Sequence, residues 1–276
     1  MWYINYAYTL PFIRRQTYDR TPIYRVDEHK MNTAKTIQYI DDILLCTCIP
    51  LLFNDTVNSQ VSEEHANVLE WAHLNGFVVN AKKCQSLFIR KSRDASDIEL
   101  ADAPTVDKIK FLGFLLNNKL TFCSHIQHVC HLSARRFYAL RILKPLMNTE
   151  SLTVVYYGVV RSIIEYCSPA FGKLPENLGR MLDRLQNRCH RLICSVPHSS
   201  QCHCSRFPSL STRRKTYMAT KLFLSAAAKT DHILHDIIPA KSIRSSRFIQ
   251  PPSHTTRFRN SFVPFITMTL NGTIDC

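Results

Sequence analysis

Two adjacent carboxylates at a chain reversal are the residues of this sequence best suited to chemistry. They are Asp41 and Asp42, in the tetrapeptide Tyr39-Ile40-Asp41-Asp42. Thr36-Ile37-Gln38-Tyr39 and Ile43-Leu44-Leu45-Cys46 read as two strands around a tight turn. Side-by-side carboxylates repel unless a cation neutralises them. A hard divalent ion with oxygen ligands does so. Pairs of such ions, about 3.5–4 Å apart, activate an attacking oxygen and steady a leaving one in phosphoryl transfer. A hairpin with two solvated acids has the same sequence, so the tetrapeptide alone leaves both readings open.

A second set of candidates is cationic. From Pro175 to Cys194 the spacing predicts a helix, with Pro175 in its first turn. Leu178, Leu182, Leu185, Cys189 and Leu192 line one side. Arg180, Arg184, Arg188 and Arg191 line an adjoining side, contiguous at ~100° per residue. Such a stripe can bind phosphates, and a solvated helix face looks the same. The 276 residues carry a formal charge of +14 with pI near 9.4, which suggests a polyanionic partner such as nucleic acid. The excess gathers late: after Met181 the only acids are Asp183, Asp231, Asp236 and Asp275.

Other chemistries find less support. Cys189, His190, Cys194, His198, Cys202, His203 and Cys204 lie close together, but their spacing fits no standard zinc finger, so zinc is not expected. The 11 cysteines read as reduced thiols of an intracellular protein, in cytoplasm or nucleus and not secreted. Met1 to Leu10 has no signal-peptide pattern, and Ile43 to Phe53, the longest apolar stretch, is too short to span a bilayer; no membrane partner is expected. With six glycines and no Walker-type loop, Gly-rich phosphate cradles are not expected.

The elements that must position these residues form an α+β chain. Four segments are expected: an irregular N-terminal extension (1–33), a mixed segment of antiparallel strands with packed helices (34–122), a mainly helical region (123–238), and a basic, loosely structured tail (239–276). In the mixed segment, 59–75 reads as an amphipathic helix with Val61, Val68, Leu69 and Ala72 on one face and Glu63 and Glu64 near its start. Phe77-Val78-Val79, Ser86 to Ile89 and Lys108 to Leu116 are strand candidates, the last interrupted by Gly113, with a turn at Asn117-Asn118. Residues 124–144, 148–166, 175–194 and 212–229 read as helices.

In this order the motifs resemble the reverse transcriptases of non-long-terminal-repeat (LINE-type) retrotransposons, from about Thr36 to near Leu270. Tyr39-Ile40-Asp41-Asp42 is similar to the family's Tyr/Phe-x-Asp-Asp hairpin, and Asn80-Ala81-Lys82-Lys83-Cys84 to its Leu-Asn-x-x-Lys stretch. Phe111-Leu112-Gly113 with Asn117-Asn118-Lys119-Leu120 resembles the primer grip. His125-Ile126, Tyr156-Tyr157-Gly158, Glu165 to Pro169, Leu185-Gln186-Asn187-Arg188 and Ser261-Phe262-Val263-Pro264 match later positions. The resemblance implies a partial polymerase palm followed by a helical thumb and connection. It implies that Asp41 and Asp42 bind catalytic Mg2+ or Mn2+, that Tyr39 lies near the primer end, and that Lys82 or Lys83 approaches the dNTP triphosphate. Phe111 and Gly113 would position the primer strand, although core packing is the other reading of Phe111. The basic helices, with Arg180, Arg184, Arg188 and Arg191, would hold an RNA template and DNA primer through their phosphates.

The departures from the family pattern matter as much. The family places a further metal-binding aspartate upstream on a neighbouring strand, then a Pro-Gln-Gly-Ser type segment. Only 38 residues precede Tyr39, with Asp19 and Asp27 outside any strand-like run and no Pro-Gln-Gly. The expectation is a C-terminal fragment of an RNA-directed DNA polymerase, inactive as this chain alone. The alternatives are a nucleic-acid-binding module without catalysis, and a remnant that folds poorly.

Overall fold

The computed structural model describes residues 2–6, 34–39, 42–48, 54–89, 103–171, 173–197, 207–232 and 234–272. It is α+β and divides into two compact units, Met1–His125 and Ile126–Cys276. The division falls just inside the helix that was expected to open the helical region at 123.

In the first unit, four strands form one antiparallel sheet in the order β2-β3-β1-β4. They are β1 (Trp2–Tyr6), β2 (Ala34–Tyr39), β3 (Asp42–Cys48) and β4 (Gln85–Ile89). Ile43, Leu44 and Leu45 are consecutive and all buried, as are Ser86, Leu87 and Phe88. Successive strand residues point to opposite faces, so these two strands are covered on both sides. Leu44 and Leu87 share a cluster with Ile109 of a separate hairpin, β5 (Lys108–Phe111) and β6 (Phe114–Asn117). The Ser86 hydroxyl donates to the Ala103 carbonyl (3.0 Å), and Ser86 N–H donates to the Pro104 carbonyl (3.0 Å), which ties the chain before β5 to β4. Helix α1 (Asn54–Leu74) buries Val68 and Ala72.

Three expectations for this unit change. The N-terminal stretch read as irregular contributes β1, the strand between β3 and β4. An interior strand needs no polar–apolar alternation, so Trp2-Tyr3-Ile4-Asn5-Tyr6 shows no clear period although its residues favour strands. Helix α1 begins at Asn54, not near 59, so Glu63 and Glu64 lie in mid-helix and Glu64 is buried. Phe77-Val78-Val79 is not a strand; Phe77 instead stacks on Trp71 with ring centroids 5.7 Å apart.

The second unit is helical. Helix α2 (Cys123–Leu143) leads into it, followed by α3 (Thr149–Tyr156), a π turn (Tyr157–Arg161) and α4 (Ser162–Glu165). Then come α5 (Glu176–Cys194), α6 (Leu210–Tyr217), a second π turn (Met218–Phe223) and α7 (Leu224–Ala228). Pro175 is the N-cap of α5 rather than its first turn, and its carbonyl accepts from Leu178 and Gly179 N–H (3.1 and 3.0 Å).

The tail expected to be loosely structured contains α8 (Thr256–Arg259) and α9 (Phe262–Leu270). Phe265 and Ile266 of α9 are buried in a cluster with Met218, Phe223 and Phe248. Pro264 lies in the first turn of α9, where a missing N–H costs no helical bond. The Asn271 side chain accepts from Phe248 N–H (3.2 Å) and donates to the Phe248 carbonyl (2.8 Å), which straps the preceding loop to that helix. No helix among the described residues is long and apolar enough to cross a membrane.

Candidate functional site

The β2–β3 hairpin holds the acidic pair at its reversal. The register runs from Ala34↔Thr47 to Tyr39↔Asp42 and leaves two residues, Ile40 and Asp41, for the connection. Two residues is the commonest length of a hairpin connection. Both lie outside the described residues, and Asp42 opens β3. Directly after it, Ile43, Leu44 and Leu45 are buried, so the acid stands at the edge of an apolar run.

A two-ion centre needs more carboxylate than this turn supplies. The other neighbour of β3 is β1, paired from Trp2↔Cys48 to Tyr6↔Leu44, and Trp2-Tyr3-Ile4-Asn5-Tyr6 contains no carboxylate. Among the described residues no group of three His, Cys, Asp or Glu side chains is placed to hold a metal ion. Asp19 and Asp27 lie outside the described residues. The donor set of the described residues therefore falls short of a two-ion site.

Lys82 and Lys83 occupy an exposed 3-10 turn (Ala81–Lys83) that delivers the chain into β4. Lys83 N–H donates to the Asn80 carbonyl (2.9 Å), and the buried Cys84 side chain anchors the turn on the same carbonyl (3.4 Å). Phe111 is half-buried against the Leu44–Leu87–Ile109 cluster, which makes it a packing residue. Gly113 has a direct role in the backbone. With Phe111↔Phe114 paired, Leu112 (φ 46°) and Gly113 (φ 82°) form the two-residue turn of β5–β6. Positive φ at both positions is the type I′ pattern that suits strand twist. The turn expected at Asn117-Asn118 is present, closed by Leu120 N–H on the Asn117 carbonyl (3.0 Å), but it leads into α2 and not into a further strand. Asn117 accepts from Thr121 N–H (2.9 Å), and Asn118 donates to Asp107 (2.6 Å).

On α5, Leu178, Leu182, Leu185 and Cys189 are buried as the spacing predicts, while Ile193 rather than Leu192 completes the buried face. Arg180, Arg184 and Arg188 are exposed and Arg191 half-buried. At ~100° per residue the stripe lies nearly opposite the buried face, not beside it. Arg180 pairs with Glu176 (3.5 Å), and Arg188 lies over the Phe137 ring (4.9 Å).

Two constellations in this unit escaped the sequence reading. In one, Arg161, 5 % exposed, sits in the first π turn within 3.3 Å of Glu165 and 5.0 Å over the Tyr157 ring. Glu165 also accepts two hydrogen bonds from Arg213 (2.6 and 3.0 Å). Burial alone would raise the Glu165 pKa; the Arg213 bonds and the Arg161 charge overcome it and leave it lowered. Nearby, His190 stacks on Phe207 (3.8 Å), and burial, aided by Arg161, lowers its pKa to about 4. Buried Cys189 is pushed up to about 12. Both belong to the core; Cys194, at the end of α5, is half-buried, and the cluster from His198 to Cys204 lies outside the described residues.

The other constellation is a cleft of about 430 Å³ between α5, α6 and α9. It is lined by Lys173, Arg180, Arg214 and Lys215, with Glu176 and Asp183. The run Arg213-Arg214-Lys215 was its signal in sequence, but only packing brings it opposite Lys173 and Arg180. No protein-family model and no curated protein sequence matches this chain.

Proposed function

We propose that the chain is part of an RNA-directed DNA polymerase of the retrotransposon type. In this reading the first unit is a partial palm and the second a helical thumb and connection that holds template and primer. The observation that carries the proposal is the hairpin register: the β2–β3 ladder closes at Tyr39↔Asp42, which sets Asp42 at the head of a strand whose next three residues are buried, directly beside the connection that contains Asp41. A carboxylate at the end of a packed strand suits a divalent ion, Mg2+ or Mn2+ in the intact enzyme. Lys82 and Lys83 are exposed cations that could neutralise a triphosphate.

The same reading makes the chain inactive by itself. Phosphoryl transfer depends on positioning and charge neutralisation, and β1 brings no carboxylate to the hairpin. Primer extension with the purified chain in magnesium or manganese should give no incorporation. Incorporation abolished by Asp41→Asn would overturn the inactivity while supporting the polymerase assignment. A second reading, nucleic-acid binding without catalysis, is favoured by the exposed arginines of α5, of which Arg184 has no ion pair among the described residues. It requires salt-sensitive binding to an RNA–DNA hybrid, and no binding at low salt would sink it.

A further inference from the structure

We infer that the cleft between α5, α6 and α9 is a binding site for a phosphate monoester, either a free nucleotide or the phosphorylated end of a nucleic-acid strand. The inference does not depend on the hairpin or on polymerase ancestry.

The charge count comes first. Lys173, Arg180, Arg214 and Lys215 face the cleft against Glu176 and Asp183. Glu176 is engaged by Arg180 at 3.5 Å. That leaves three cations and one carboxylate facing the cleft, a net of +2. A phosphate monoester carries between one and two negative charges near neutral pH, so it matches this charge better than a backbone diester does. The size agrees: at about 430 Å³ the cleft lies in the range of small-ligand sites.

The second observation is Arg214. It is half-buried, its guanidinium lies 5.4 Å over the Phe171 ring, and it makes no ion pair or hydrogen bond with a carboxylate among the described residues. Burial pushes its pKa down, with only partial relief from Asp183 and Glu165. A guanidinium held in that condition gains from a ligand oxyanion, and its planar fork suits a phosphate. Lys215, on the next residue of α6, and Lys173, before α5, are further donors that no acid within ion-pairing distance occupies.

Third, the cleft is open where it needs to be. Gly179 lines it, and a Cβ built there would meet no atom within 4 Å. Leu182 and Phe265, both buried, give it an apolar floor.

Calorimetric titration of the full chain tests the site. The probes are inorganic phosphate, adenosine 5′-monophosphate, and a short RNA with or without a 5′-phosphate. The 5′-phosphorylated RNA should bind about tenfold or more tightly than its hydroxyl-ended twin, as expected for charge-assisted hydrogen bonds. If the mononucleotide or inorganic phosphate competes for the same sites, a free nucleotide is the natural source; if neither competes, the strand end is. Arg214→Ala should lose the preference, and Asp183→Asn should tighten binding by removing the opposing charge. Gly179→Met should abolish binding by filling the space, without risk to the fold, because a helical glycine is replaced by a better helix former. Arg244→Ala, which removes one charge outside the cleft, should keep it. Equal binding of phosphorylated and hydroxyl-ended RNA, or full phosphate-dependent binding by Gly179→Met, would overturn the inference.

Discussion

The sheet of the first unit and the helices of the second treat charge in opposite ways. The strands bury Ile43, Leu44, Leu45, Leu87 and Phe88, with Ser86 as their buried polar side chain, and the buried ionisable groups of that unit, Glu64, His65 and His125, lie on α1 and α2. In the second unit, polar and charged groups enter the helical interior: Gln186, neutral His190 and cationic Arg161 are all buried, and Glu165 joins Arg161 and Arg213. The cause is geometric. A strand covered on both faces leaves only its ends for polar groups, so chemistry on such a sheet collects at hairpin tips. A helix carries its polar face along its whole length, and a π turn rotates that face by adding a residue. The turn at Tyr157–Arg161 does this: Arg161 is drawn inside while Tyr157 and Gly158 remain exposed. Stability of the second unit is therefore tied to ionisation, and stability of the sheets of the first to apolar packing and turn conformation.

The largest effect should come from breaking the charge network. Glu165→Gln keeps the shape of the side chain but leaves buried Arg161 without its anion. Removing one partner of a buried pair costs about 3–5 kcal/mol, and the exposed side of Glu165 places the expected loss near the lower end. Urea unfolding followed by circular dichroism measures it. The double variant Arg161→Met with Glu165→Gln should recover most of the loss, because no uncompensated charge remains inside. If the double variant is as unstable as the single one, Arg161 matters for packing and the contrast between the units fails.

A pH titration gives the next effect. His190 has a folded-state pKa near 4 against an ordinary value of 6.5. The folded form therefore binds fewer protons than the unfolded form between those values. Its contribution is fully present above pH 6.5 and is lost as pH falls toward 4. Over that window the loss is on the order of 3 kcal/mol. Lowered Glu165 acts in the same direction at still lower pH, because its stabilisation exists above its unfolded pKa and vanishes as it protonates. His190→Phe keeps a ring against Phe207 and should flatten the window from pH 6.5 to 4 while leaving the loss at lower pH. An unchanged slope in that variant would mean that His190 is not the titrating group.

The same contrast explains which features could be read from the sequence. The β2–β3 hairpin was legible because short apolar runs flank an acidic turn. Helix α5 was legible because Leu178, Leu182, Leu185 and Cys189 repeat with helical spacing. Strand β1 was not, since an interior strand has no alternation to detect. Helix α9 was masked by Pro264 and a polar neighbourhood, and its apolar face makes sense only against Met218, Phe223 and Phe248. Of the cleft only the basic run at Arg214-Lys215 was visible: Lys173, Asp183, Arg214 and Phe265 become neighbours only through helix packing. Phe111 and Gly113 show a subtler limit. They stand in the motif where expected, yet one packs in the core and the other makes the turn.

That turn carries the smallest effect and the sharpest test of the first unit. Gly113→Ala places a Cβ on a backbone at φ 82°, a conformation that costs an L-residue about 1–2 kcal/mol. Thermal unfolding should show a loss of about 1 kcal/mol, because glycine also has more unfolded-state entropy to lose, which offsets part of the strain. The loss should not change between pH 7 and pH 5, since no ionisable group takes part in the turn, whereas the Glu165 and His190 effects belong to a titrating network. A glycine effect that grew on acidification would couple the hairpin to that network and remove the distinction between sheets stabilised by apolar packing and helices stabilised by charge.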